Sequence, residues 1–295
     1  MRNFLAKKIT ELQPSGIRKF FDIVSEQPDA ISLGVGEPDF DTPSHMMQEG
    51  VRSIQEGRTF YTANAGLLEL RQKISDYLQF RNHVHYDPKS EIIVTVGGSE
   101  AIDMALRIFV EAGDEVIIPQ PSFVCYEPIA QMVGGVPVTI DLQSQNQFKL
   151  TPEELETAIT EKSKILILSY PNNPTGATMD REALIKIADV VKKHDLLVIS
   201  DEIYAELVYD EPFVSISELP GMRDRTIVIN GFSKGFAMTG WRLGFVAGPE
   251  VFMEQLLKLH QYTIMAAPTA SQYAALAGLK DDWQETVEPM RLSYE

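Results

Sequence analysis

Short apolar runs recur along this chain, separated by amphipathic stretches, and their order restricts the fold more than any other feature. From about residue 90 onward the runs are 92–96, 116–118, 136–140, 165–169, 196–200 and 227–230, and they are apolar or small throughout rather than alternating. Segments with helical periodicity lie between them, among them 101–110, 181–193 and 251–261. Strands without polar alternation are covered on both faces. Strand and helix in alternation predict an α/β fold with a mainly parallel sheet between helices. The 295 residues suffice for one large domain and a smaller one. Gly34, Gly36, Pro38 and Pro43 break any long element near the start, so 1–45 is expected to form an arm and part of the smaller domain. The large domain is expected over 46–278, and 279–295 is expected to begin the second portion of the smaller domain.

In open sheets of this kind ligands gather beyond the carboxyl ends of the strands. The residues found there are Gly97, Gly98 and Ser99, then Pro121 and Phe123, then 171–176, then Asp201 and Tyr204, and finally Ser233 and Lys234. All five groups are expected on one rim.

Composition narrows the chemistry. Forty-two acidic and 26 basic residues leave a formal charge of -16, which repels nucleic acid and anionic membranes. Any bound phosphate must therefore be held by a local pocket. No apolar run approaches the ~20 residues of a membrane helix, and Lys7 and Lys8 interrupt any secretory core, so a cytoplasmic location is expected. A single cysteine, Cys125, excludes internal disulfides and a zinc site built from several thiolates. His83 and His85 share a polar segment with Asp87, while His45, His194 and His260 stand alone, so no metal site is expected. Gly34-Val35-Gly36 runs into Glu37-Pro38-Asp39, which breaks a dinucleotide fingerprint, and no Walker lysine motif occurs.

Lys234 follows an apolar run directly and is hemmed by small residues, with Arg242 eight positions on. A lysine amine becomes a nucleophile when burial or neighbouring charge disfavours its ammonium form. Asp201 ends another run, where a carboxylate is either a helix cap or the partner of a cation. Ser99 either caps the helix that starts beside it or joins that helix's free N–H groups in holding a phosphate. Asn173 stands in a turn-forming Asn-Asn-Pro-Thr-Gly segment, and Tyr204 and Phe123 read equally as buried aromatics.

Together, the run Asn230-Gly231-Phe232-Ser233-Lys234-Gly235 with Arg242, the Asp201-Glu202-Ile203-Tyr204 motif and Asn173-Pro174-Thr175-Gly176 resemble the class I/II aminotransferases. These are fold-type-I enzymes that use pyridoxal 5′-phosphate (PLP). The resemblance implies that Lys234 forms a Schiff base with the cofactor aldehyde and that Asp201 pairs with its ring nitrogen. It places Tyr204 and Asn173 at the phenolic oxygen and Phe123 on the ring face. Gly98, Ser99, Glu100, Ser233 and Arg242 belong at the phosphate end, with Tyr61 arriving from the partner of a homodimer. Gly36 and Asn173 are implied to meet the substrate. Members often carry serine three positions before the lysine, where this chain has Gly231. They also continue beyond the position of Glu295, and the arginine that grips the substrate carboxylate is expected there. Arg291, only 57 positions after Lys234, is not expected to take that role. The implied reaction is transfer of an amino group between an L-amino acid, aspartate or aromatic, and a 2-oxo acid. A PLP-dependent β-lyase and a non-catalytic PLP-binding protein are the other readings.

Overall fold

A computed structural model describes residues 4–12, 36–280 and 282–295. Most of the arm expected over 1–45, including Gly34, lies outside the described residues. The strands are β1 (Ile92–Thr95), β2 (Glu115–Gln120), β3 (Val136–Asp141), β4 (Ser163–Ser169), β5 (Leu197–Asp201), β6 (Thr226–Gly231) and β7 (Gly244–Ala247). They form one sheet in the order β1-β7-β6-β5-β4-β2-β3. Every neighbouring pair is parallel except those made by β7, which runs antiparallel to both β1 and β6. The six expected runs are therefore all strands of one direction, and their carboxyl ends share one edge. β7 was not among the expected runs. Only four residues long, it is made a strand by its two neighbours rather than by its own pattern.

The helices among the described residues are α1 (Lys7–Thr10), α2 (Ser44–Gln55), α3 (Leu68–Arg81), α4 (Gly98–Phe109), α5 (Tyr126–Met132), α6 (Pro152–Ala158), α7 (Arg181–Lys193), α8 (Glu250–Thr263), α9 (Thr269–Gly278) and α10 (Trp283–Tyr294). Local chemistry sets several of their starts. Asp180 accepts the Ala183 N–H at 2.8 Å at the head of α7, and Thr151 and Glu154 form a reciprocal capping box on α6.

Alternate strand residues feed the two faces of the sheet. Ile165 and Ile167 of β4 join Ile199, Ile227 and Ile229 in a core with Ala101, Ile102 and Ala105 of α4 and Met253 and Leu256 of α8. Leu166 and Leu168 point the other way, packing with Leu184, Ile187 and Val191 of α7. Coverage of both faces explains the absence of polar alternation. β3 departs from this rule: as an edge strand it leaves Val136 exposed, and its pairing with β2 rather than double burial holds it in place. Trp283 and Val287 of α10 are buried in a third cluster with Tyr77, Ile74 and Phe245. At burial gains of roughly 1.5–3 kcal/mol for a large apolar side chain, these two side chains anchor the last helix against α3.

Candidate active site

The shared edge of the sheet opens into a cavity of about 490 Å³. Its lining includes Gly36, Gly98, Ser99, Phe123, Asn173, Asp201, Tyr204, Ser233, Lys234 and Arg242. Ten residues drawn from distant parts of the sequence thus meet in one place. Tyr61 and Glu100 do not line it.

Lys234 stands three residues beyond β6, half-buried, with its Nζ donating to the Gly36 carbonyl and lying 5.7 Å from the centre of the Tyr204 ring. Burial pushes its ammonium below the ordinary lysine range; the Glu37 carboxylate opposes that shift, Arg242 adds to it, and Asp201 opposes it again. A lysine shifted in this direction has more of the free amine that attacks an aldehyde.

Asp201 closes β5 and is buried. Its Oδ2 accepts the Tyr126 hydroxyl at 2.7 Å and its Oδ1 accepts the Ile203 N–H at 3.2 Å. It caps no helix: the two readings left open by the sequence resolve toward a carboxylate that faces the cavity. Burial pushes it toward its neutral form, against the pull of Tyr126, the Ile203 N–H and Lys234. A cationic N–H placed against such a group regains the interaction that burial removes.

Tyr204 is pushed up to about 12 by burial and by the charge of Asp201, while a hydrogen bond with Asn173 works the other way. Phe123 lines the cavity and packs edge-on to Tyr126 with ring centres 5.8 Å apart.

The anion-binding end is built by backbone. Gly97 precedes α4 at φ +79°, and no side chain caps that helix, so Ser99 is not a cap, and Gly98 and Ser99 of the first turn line the cavity. A methyl group on Gly97 would stand 2.7 Å from Nη2 of Arg242. Glycine is thus what lets the guanidinium lie against the loop. Arg242 itself adopts φ 52° and ψ 60°, a left-handed conformation unusual for a side chain of its kind, and donates to the Thr239 carbonyl at 3.1 Å. Strain of roughly 1–2 kcal/mol at this residue places its charge at the mouth of the helix. Gly231 faces Gly244 across the β6–β7 pair, where any Cβ at 231 would come within 2.8 Å of the Gly244 Cα. A serine at this position, which the resemblance would favour, has no room in this backbone.

One expected residue, Glu100, stands elsewhere, and Tyr61, expected at the partner's site, lies on the surface. The Glu100 carboxylate turns back to the Val96 N–H and to His260. Tyr61 is 81% exposed on the surface. Arg291 of α10 is tied to Glu288 at 2.9 Å and Glu295 at 3.0 Å and does not line the cavity. Tyr126 and Ser169 were missed. The Tyr126 hydroxyl bridges Asp201 and Ser169, and its spacing of three from Phe123 at a helix start was the one available signal.

The cavity fits PLP on its donor set: a guanidinium and a helix N-terminus for a phosphate, a buried carboxylate for a ring N–H, an aromatic for a ring face, and a lysine of lowered basicity between them.

Comparison with known proteins follows the same line. The model of the family Aminotransferase class I and II matches residues 28–295. YugH of Bacillus subtilis, named as an aminotransferase, is 50% identical over 294 residues, covering 100% of this chain and 76% of that protein. An aspartate aminotransferase from Pyrococcus abyssi is 45% identical, covering 99% of this chain and 75% of that one. Among solved structures, the aspartate aminotransferase from Thermus thermophilus with maleate superimposes with a TM-score of 0.95 at 33% identity, covering 100% of this chain and 78% of that one.

Proposed function

The chain belongs to the class I and II aminotransferases, and from this premise we propose which of its residues carry the reaction and on what substrates. It is a PLP-dependent transaminase. The substrates we infer are an L-amino acid, aspartate or aromatic, and a 2-oxo acid, in keeping with relatives named for aspartate and for aromatic amino acids.

PLP, when bound, supplies an aldehyde carbon for capture of an amine and a cationic ring that takes up the electron pair released at the substrate Cα. The residues of this chain do the rest. Lys234 would hold the cofactor through its aldehyde carbon, and its ε-amine, when free, would be the base that takes the proton from the substrate Cα. The lowered basicity of that amine suits it to both roles. Asp201 keeps the ring nitrogen protonated, with Tyr126 holding the carboxylate in place. Tyr204 and Asn173, which line the same cavity, would hold the cofactor's phenolic oxygen. Ser99, Ser233, Arg242 and the first turn of α4 hold the phosphate, and the Gly36 backbone lies beside the substrate end.

We further propose a homodimer in which Tyr61 completes the partner's phosphate site. Phe60, Tyr61 and Tyr262 are each at least 80% exposed, an unusual display of aromatic surface. Residues 46–278 form the large domain in this reading, flanked by parts of a smaller one at 1–45 and 279–295.

The observation that carries the proposal is the convergence of Lys234, Asp201 and Arg242 on one cavity. Borohydride reduction in the presence of PLP is expected to attach the cofactor to the peptide containing Lys234, read by mass spectrometry, and Lys234→Ala to abolish the adduct and the transfer of amino groups. An adduct of undiminished yield on another lysine of the variant refutes the assignment. Release of pyruvate and ammonia from a sulfur amino acid without a 2-oxo acid would select β-lyase chemistry instead.

A further inference from the structure

Glu100 and His260 lie one layer behind the phosphate end of the cavity. An acidic side chain in the first turn of a helix is drawn to the same free N–H groups that a phosphate takes. Left to itself, Glu100 would compete with the ligand. The fold prevents this. Its Oε2 accepts the Val96 N–H at 2.5 Å, and its Oε1 meets Nδ1 of His260 at 2.8 Å. With the ring in its Nδ1–H tautomer, that nitrogen donates to the carboxylate.

His260 comes from the last turn of α8, which packs along α4. Its side chain is completely buried, and among the described residues its Nε2 has no partner. Taking an imidazole out of water with one nitrogen unsatisfied is destabilising. The contact with Glu100 is the one polar interaction of the ring among the described residues, so the ring's service to the fold is concentrated at that carboxylate. Val96 in turn immediately precedes Gly97, where the chain takes its left-handed turn beneath Arg242. A chain of contacts thus runs from α8 through His260 and Glu100 to the backbone that must present its N–H groups to an anion.

We propose that Glu100 and His260 are positioning residues for the phosphate: the pair holds the Val96–Gly97 turn in its anion-binding shape and keeps the Glu100 carboxylate directed away from the ligand. Neither residue lines the cavity. Their effect is therefore specific to the phosphate group and leaves the pyridine ring's contacts alone.

The inference rests on the PLP reading of the cavity, and its test separates the two. The protein without cofactor is titrated with PLP and with pyridoxal, which lacks the phosphate. His260→Leu fills the same space and removes only the donor. It is expected to weaken PLP about tenfold or more, the effect of losing a charge-assisted hydrogen bond, while pyridoxal changes by less than about twofold. His260→Asn, whose Nδ2 stands close to the position of Nδ1, is expected to restore PLP binding to within about threefold of the original. Glu100→Asp keeps the charge but is one methylene too short to reach both Val96 and His260; it is expected to show the same selective loss, and it sits at a helix start where the fold tolerates it. Equal loss for both ligands, or PLP affinity unchanged in His260→Leu or in Glu100→Asp, overturns the proposal. Absence of any preference for PLP over pyridoxal in the unaltered protein would instead refute the reading of the cavity itself.

Discussion

Glu202→Gln is expected to make the protein more stable at pH 8 than the unaltered chain, and to do so by an amount that the structure allows to be worked out. Glu202 follows β5 directly and is 1% exposed. Its Oε1 accepts the hydroxyls of Ser200 at 2.8 Å and Ser215 at 2.6 Å, and its Oε2 accepts the Asn82 amide at 2.7 Å. None of these partners is a cation. Burial raises its pKa from 4.5 to about 7; donation from Ser215, Ser200 and Asn82 opposes the rise, and the neighbouring charge of Asp201 adds to it. The folded protein therefore retains a proton on Glu202 that the unfolded chain releases above pH 4.5. Stability from this group is fully present below that value and is lost as pH rises through about 7. Integrated over the two values, the loss between pH 5 and pH 8 is about 2 to 3 kcal/mol. A glutamine can accept from both serines through its oxygen and donate through its amide to Asn82 Oδ1, a buried atom without a partner among the described residues. Urea denaturation of both proteins without cofactor, at pH 5, 6, 7 and 8, measures the outcome. Taking the difference between the two curves cancels the other titrating groups to first order. That difference should grow in favour of glutamine by about 2 to 3 kcal/mol across the range. A difference constant to within about 0.5 kcal/mol would show that Glu202 titrates alike in the folded and unfolded chain, and the reasoning would fail.

Three further outcomes are expected. Asp201→Asn should still bind PLP at Lys234 but lower kcat about a hundredfold or more, the scale on which a single preorganised electrostatic contact acts; a kcat within tenfold would contradict the role given to the carboxylate. Gly97→Ala should weaken PLP by about tenfold, since its methyl would stand 2.7 Å from Arg242 and the residue holds φ +79°; equilibrium dialysis reads the change, and unaltered binding would refute the packing argument. Glu206→Ala should destabilise the fold by about 3–5 kcal/mol, because it strands the guanidinium of Arg81 and the hydroxyl of Tyr77, which donates to Glu206 at 2.6 Å; a chemical denaturation midpoint equal to that of the unaltered protein would be the contrary result.

Much of this molecule was legible because the pattern that encodes a buried strand is local. Residues 165–169 and 227–230 read as apolar throughout, and the loops that follow them delivered Asn173, Ser233 and Lys234 to the cavity. The helix over Arg181–Lys193 has the bounds its periodicity indicates. β7 was invisible, since a four-residue segment becomes a strand only between two others. Glu100 was taken for a ligand contact because its place beside Ser99 at a helix start is evident from the sequence while its direction is not. The partner that turns it away, His260, lies 160 residues further on. Tyr126 escaped notice for the same reason, its hydroxyl meeting an Asp201 that is 75 residues away.

Hydrophobic order along the chain thus decided which segments are the six parallel strands and which end of each borders the cavity, because those properties depend on neighbours a few residues away. Where each carboxylate points, how basic each amine is, and whether a glycine is needed at 97 or 231 were decided only when strands and helices distant in sequence packed together. Burial and hydrogen bonding act over a few ångströms of space, and only the folded backbone sets which residues share that space.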